Sequence, residues 1–355
     1  MISSSSHSFL RRLLDTPGPS GFETAAATVW RTEASQFATV TRDVSGNSIA
    51  VANPQGSPTI MLAGHIDEIG VIVTYIDEQG FVYIAPIGGW DPQVLVAQRI
   101  RFMGKQGDVV GVIGKLPIHL IKPSDREKAT RLEDLWVDIG ATNRAEAEKL
   151  LSVGDAGVID SKLVELPNNR VASRSIDNRI GAFVVLEALR RYAEKPGAAK
   201  VVAVATAQEE IGHLGGGAMT SAVGVNPQMA IVVDVTFATD HPSIEKKIVG
   251  DIKMGGGPVI TRGAGLSPVV TTLLRQTAER NNISYALHAS GRDTSTDADA
   301  IAIAREGVAT GLVSVPNRYM HSPNEIVSLE DVDRTAELLA QTCRAVNAMT
   351  DFTAR

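Results

Sequence analysis

Cysteine is almost missing from this sequence. Cys343 is the only one in 355 residues, so neither an internal disulfide nor a thiolate metal cluster can form. It falls late in an apparent helix, where a buried thiol serves as apolar filler. Aromatic residues make up only 5%, which leaves few platforms on which sugars could stack. No apolar run approaches the roughly 20 residues that span a bilayer, which argues against an integral membrane protein. Charge of one sign is not concentrated either. Lys and Arg number 34 against 40 Asp and Glu, a formal net charge of −6 spread along the chain. That balance argues against a dedicated nucleic-acid binder. No secretory leader is expected from the opening residues. The opening MISSSSHSFLRRLLD has serines where an apolar segment should stand, and its arginines follow the short apolar piece. With so little cysteine, the expected compartment is the cytoplasm.

What is present is globular: 44% hydrophobic and 21% charged residues, with 32 glycines. The length suits one large or two ordinary domains. Texture changes twice along the chain. Leu10, Leu13 and Leu14 give a helical face, Pro17 to Gly21 breaks it, and Glu23 to Phe37 is amphipathic again. Thr59 to Ala63 reads as a buried strand. From about residue 71 to 165 the pattern is β-rich. VIVTYIDEQGFVYIAPI and RIRFMGKQGDVVGVIGKL each read as a strand pair, which suggests a small barrel or sandwich. Polar, helix-like patches follow at Arg126–Leu135 and Arg144–Leu151. Beyond residue 166, helical segments (Arg179–Tyr192, Val269–Arg280, Leu329–Met349) alternate with Val-rich runs (Lys200–Ala205, Met229–Val233, Val308–Val315). The expected fold class is α/β, a mixed, largely parallel sheet flanked by helices. The expected domains are 1–70 with 166–355, and a small β-barrel or PDZ-like domain inserted at 71–165.

Acidic and imidazole side chains gather where the apolar runs stop. Ile60 to Ala63 leads to His65 and Asp67, Val201 to Ala205 to Glu209 and Glu210, Ile231 to Val233 to Asp234, and the run around Val313 to His321. Asp177 stands just before a helix. Ligands of open α/β sheets bind beyond the carboxyl ends of the strands. Taken singly, each residue has a plain structural explanation: a hydrogen-bonded turn, a helix cap, a solvated acidic face. Together they are costly to bury unless they are paired or bind metal. Imidazole and carboxylate without thiolate suit zinc, cobalt or manganese. The count suggests two ions sharing one carboxylate, each completed by a His and a further carboxylate. Glu209 and Glu210 are neighbours, so one can ligate while the other takes a proton from water.

Gly64-His65-Ile66-Asp67-Glu68-Ile69-Gly70, Ser175-Ile176-Asp177-Asn178-Arg179, Gln208-Glu209-Glu210-Ile211-Gly212, Val233-Asp234 and His321-Ser322 resemble, in order, the signatures of the M42 family of co-catalytic metallo-aminopeptidases. The likeness extends from Pro17-Gly18-Pro19-Ser20-Gly21-Phe22-Glu23 through Gly88-Gly89-Trp90-Asp91-Pro92-Gln93 to Gly291-Arg292-Asp293-Thr294 and Thr296-Asp297-Ala298. The resemblance implies a zinc-peptidase-like fold and two divalent ions per subunit, zinc or cobalt, with manganese also admitted. His65 and Asp234 would complete one ion, Glu210 and His321 the other, and Asp177 would bridge them. Glu209 would be the general base, and Asp67 would orient His65. The resemblance also implies cytoplasmic cleavage of N-terminal residues from short peptides. It implies dimers formed by the β domain and assembled into a dodecamer, with no nucleic-acid or membrane partner. It leaves open the preferred N-terminal residue, to which Asp293 and Asp297 could contribute a basic bias. His213 departs from the usual turn after Glu210 and fits the surface, the substrate or a third ion. Gly255-Gly256-Gly257-Pro258 lacks the Lys-Ser/Thr of a phosphate loop and reads as a turn lining the cleft. Three competing readings remain: an N-acyl amino-acid deacylase with the same centre, a glycosidase, which needs paired carboxylates without metal, and a non-catalytic assembly or binding protein.

Overall fold

The structure, a computed structural model, describes residues 2–212 and 216–353. His213 lies outside the described residues. The strands of the main sheet carry almost unbroken apolar runs because both of their faces are covered. In β3 (Thr59–His65), β12 (Lys200–Thr206) and β13 (Met229–Phe237), the first six or more residues after the opening one are nearly all buried. Together with β16 (Ala309–Arg318) they form a parallel centre in the order β12-β3-β13-β16. Antiparallel strands extend it: β1 (Thr39–Arg42) and β2 (Ser48–Ala52) on one side, β17 (Glu325–Ser328), β11 (Arg170–Ser173) and β10 (Val164–Leu166) on the other. β14 (Val259–Gly263) and β15 (Ala286–Ser290) branch from β16. This is the expected mixed sheet, parallel at its centre.

Alternation along the central strands divides the core. Ile60, Leu62, Val201, Ala203, Ile231 and Val233 face α1 (Ser4–Asp15), α2 (Thr24–Ala34), α5 (Ile176–Glu194), α8 (Pro268–Arg280) and α10 (Leu329–Ala345). Met61, Ala63, Val202, Val204 and Val232 face α6 (Gly216–Val225) and α9 (Asp297–Ala302). Cys343 is buried in the first of these layers, where burial pushes its thiol up to about 12. Gly64 lets β3 and α5 touch, since a Cβ there would stand 2.5 Å from the Gly181 carbonyl carbon. The contact fixes where β3 delivers His65.

A separate closed barrel contains β4 (Gly70–Ile76), β5 (Val82–Ile87), β6 (Arg99–Gly104), β7 (Gly107–Gly114), β8 (Trp136–Asp138) and β9 (Ala156–Ile159). The short α3 (Pro92–Leu95) and α4 (Arg144–Leu150) interrupt it. Its interior is Val71, Val73, Val82, Ile100, Phe102, Ile113, Val137 and Ile159. Two expectations need correcting. Arg126–Leu135 is not a helix. Only single turns form at Pro123–Asp125 and Leu132–Asp134, and none of their residues is buried. The glycine tract 255–257 does not line the cleft. Asp331 at the start of α10 accepts the Gly255 and Gly257 N–H groups at 2.6 and 2.7 Å and holds the tract there. The short α7 (Lys246–Val249) completes the helices.

Candidate metal centre

β3 ends on His65, and the chain turns at once into Asp67. β12 ends one strand away at Thr206 and leads to Glu209 and Glu210. Asp67 joins the two strand exits. Its carboxylate accepts the N–H of Glu209 at 3.2 Å, the N–H of Glu210 at 3.0 Å and the Ser20 hydroxyl at 2.5 Å. Complete burial raises its proton affinity, but the bonds from His65, Ser20 and Glu210 outweigh that and keep it ionised below the usual range. Asp234 is not at the end of its strand. β13 runs on to Phe237, and the register that pairs Val232 with Ala63 brings Asp234 level with His65, the last residue of β3. Asp177 sits in the first turn of α5, and His321 follows β16 in a loop.

The structure brings these side chains together. His65 Nε2 lies 3.2 Å from one oxygen of Asp177, and His321 Nε2 lies 3.4 Å from the other. His321 Nε2 is also 3.4 Å from Glu210, and His65 Nε2 is 3.6 Å from Glu209. Ligand atoms of His65, Asp177 and Glu210 lie within 4.8 Å of one another, as do those of His65, Glu209 and Asp234. Glu209 thus stands within ligand range as well as at the edge of the centre.

The imidazole tautomers follow from the second nitrogens. His321 Nδ1 is 2.7 Å from the Gly89 carbonyl, and His65 Nδ1 is 3.3 Å from both the carbonyl and the carboxylate of Asp67. Those partners only accept, so each Nδ1 carries the proton and each Nε2 turns its lone pair on Asp177. A lone pair facing a carboxylate is repulsive unless a cation lies between. Without a metal that cation is a proton. The surrounding carboxylates accordingly hold the His65 imidazole well above its usual value despite burial, and His321 is raised mainly by Asp177. Glu210 and Asp234 are pushed well up by burial and by the charge of Asp177. Glu209 is raised to about 8, first by burial and then by Asp297, Asp177 and Asp67. Glu210 Oε1 is buried with no hydrogen-bond partner among the described residues. Unpaired lone pairs, an orphaned oxygen and surplus negative charge all fit divalent cations with nitrogen and oxygen ligands.

These groups floor a cavity of about 1050 Å³ whose walls include Phe237, Ile248, Ile303, Met320, Asp293 and Asp297. Asp297 is buried, accepts the Thr206 hydroxyl at 2.5 Å, and is raised to about 6 by burial. Sequence reasoning did not single out Glu325, Arg179 or Glu68, and it gave His288 a plain structural reading. His288 lines the cavity. Glu325 accepts the backbone N–H groups of Asp177 and His321. Arg179 is wholly buried and donates to Glu68 and to the carbonyls of Leu13, Thr16 and Ile66. The only sequence signal for Arg179 and Glu68 was adjacency to Asp177 and Asp67, and for Glu325 an acid opening a short apolar strand.

Residues 46–338 match the family described as M42 glutamyl aminopeptidase. A lysyl aminopeptidase of Pyrococcus furiosus is 35% identical over 97% of this chain and 98% of its own. A TET aminopeptidase from the marine sediment archaeon Thaumarchaeota archaeon SCGC AB-539-E09 superposes with a TM-score of 0.92 at 32% identity, covering 97% of both chains. The Pyrococcus horikoshii TET1 peptidase gives 0.85 at 28% identity, over 96% of this chain and 100% of that one. With the family match spanning most of its length, this chain belongs to the M42 family of aminopeptidases.

Proposed function

We propose that this aminopeptidase removes the first residue of short peptides at a centre of two divalent ions. His65 and Asp234 would hold one ion, Glu210 and His321 the other, and Asp177 would be shared. The observation that carries this reading is Asp177, whose two oxygens meet two different Nε2 atoms at 3.2 and 3.4 Å. When bound, such ions lower the pKa of a water molecule and polarise a carbonyl oxygen.

The chain's own residues supply the rest. Glu209 lines the cavity beside His65 and is the proton acceptor for the attacking water. Divalent charge nearby would oppose the burial that raises it and leave it ionised near neutral pH. It then returns the proton to the departing amine. Asp67 keeps the His65 proton on Nδ1 and holds the Glu209 and Glu210 backbone in place. Asp293 is exposed on the cavity wall, and its carboxylate has no partner among the described residues. It would favour a basic first residue, in keeping with the lysyl aminopeptidase relative.

The test is a panel of Lys, Leu and Glu p-nitroanilides, free and N-acetylated, with metal-stripped protein and added Co²⁺ or Zn²⁺. Metal-restored cleavage of the free amines alone is expected, fastest for Lys. Preference for the blocked amines would make the protein a deacylase, and indifference to metal would remove the centre altogether. A flat profile across the three residues would dismiss Asp293 alone.

The TET1 relative can assemble into a tetrahedron or a large octahedral shell. Here the barrel would be the dimerisation domain of a comparable cytoplasmic homo-oligomer, its boundaries close to residues 71–165. Val110 and Val112 point outward from β7 at 49% and 47% exposure, and Leu116, Ile118 and Leu120 continue the apolar strip.

A further inference from the structure

Glu325 opens β17 opposite Ser173 of β11, where two chain exits leave the sheet toward the metal centre. One exit leads from Ser173 to Asp177, and the other from Arg318 to His321. The Glu325 side chain lies between them, 2% exposed and without an ion pair among the described residues. Its oxygens divide their partners: Oε2 accepts the Asp177 N–H at 2.8 Å, and Oε1 accepts the His321 N–H at 2.9 Å. Those are the two residues whose side chains meet at 3.4 Å.

Neither exit is a relaxed backbone. Ser175 has φ +58°, Tyr319 +63° and His321 itself +57°, left-handed conformations that non-glycine residues hold only when their surroundings impose them. A buried carboxylate with no cation beside it is also costly. Both costs have one local explanation. Glu325 does not line the cavity, so it acts through the residues it holds.

We propose that Glu325 is a positioning residue, a two-pronged acceptor that sets the spacing between Asp177 and His321 from behind. The inference rests on the two-ion reading above. Metal affinity on the His321 side should depend on it more than folding does. A merely structural acceptor would lower thermal stability and leave metal affinity alone.

The measurement is chelator competition with Zn²⁺ and Co²⁺, plus metal counted per chain after dialysis, for wild type, Glu325→Gln and Glu325→Asp. Glutamine keeps one acceptor but turns an NH₂ toward the other N–H. Its expected effect is about 10- to 100-fold weaker binding of one ion, the usual consequence of losing a partner behind a ligand. Activity should largely recover at excess Co²⁺. Aspartate keeps both oxygens on a shorter stem and should fall between. Wild-type affinity for both ions in Glu325→Gln would overturn the positioning role while leaving the two-ion reading intact. A wild type that binds no divalent ion would overturn both. If neither variant folds, amide hydrogen exchange in the metal-free wild type decides. Protected Asp177 and His321 amides support the clamp, and rapid exchange at either overturns it.

Discussion

Glu209 and Glu210 are adjacent in the chain, and both are anchored through their N–H groups to Asp67, so substitution separates their roles cleanly. Glu209→Gln removes the proposed proton acceptor without altering size. Activity should fall by about 10²- to 10⁴-fold, the usual contribution of a general base, with metal content unchanged. Elemental analysis and kcat on the same preparation check this, and lost metal would make Glu209 a ligand instead. The clustered carboxylates also predict a pH effect. In the metal-free fold Glu209 is raised to about 8 from an ordinary 4.5, and Glu210 and Asp234 are also raised. The folded state therefore binds more protons than the unfolded chain between those limits, and metal-free stability falls as pH rises through that window. The raised His65 and His321 act in the same direction. Bound cations remove the need for those protons. The Tm difference between metal-loaded and stripped protein should accordingly widen from pH 5.5 to 8. A constant difference would mean that these carboxylates do not carry the metal.

The secondary-structure elements aim these side chains through two buried devices. Arg179 and Arg174 both bond to Glu68, and Arg179 reaches the ends of α1 and β3 through the Leu13, Thr16 and Ile66 carbonyls. Arg179→Met would take one of its two guanidinium partners from buried Glu68, leaving Arg174, and would strand the Leu13, Thr16 and Ile66 carbonyls, a loss of about 3–5 kcal/mol. Urea unfolding would read it, and a change under 1 kcal/mol would show the network to be dispensable. The Gly64–Gly181 contact is the second device. Gly64→Ala should push β3 off α5, lowering Tm and metal affinity together. What the sequence made legible follows the same division. Strand exits are visible because a Val-rich run followed by His, Asp or Glu is a local pattern, as in Val201 to Glu210. The helical face of Leu10, Leu13 and Leu14 is local as well. Glu325 and Arg179 were not legible because the partners that give them their roles, Asp177 for Glu325 and Thr16 for Arg179, lie 148 and 163 positions away, and no periodicity encodes such a pairing. β8 was missed for another reason: at three residues it is too short to alternate, and only its neighbours β5 and β7 define it.

Across the whole molecule, the barrel and the sheet meet at the centre: the Gly89 carbonyl, just past β5, accepts the proton of His321 Nδ1. Every proposed ligand comes from one chain. Chemistry on a small substrate therefore should not require assembly, whereas solubility and size should depend on the barrel's outer face. Val110→Glu with Val112→Glu tests this. Both side chains already point away from the barrel interior, so the barrel itself should fold. Like charges facing each other across a contact between copies are repulsive and costly to desolvate. The expected result by light scattering is a drop from the oligomer to a monomer that keeps its metal and cleaves aminoacyl p-nitroanilides within a few-fold of wild type. Unchanged mass would move the contact to another face. A monomer with full metal but no activity would mean that a second copy supplies part of the cavity wall, since the ligands themselves would still be in place.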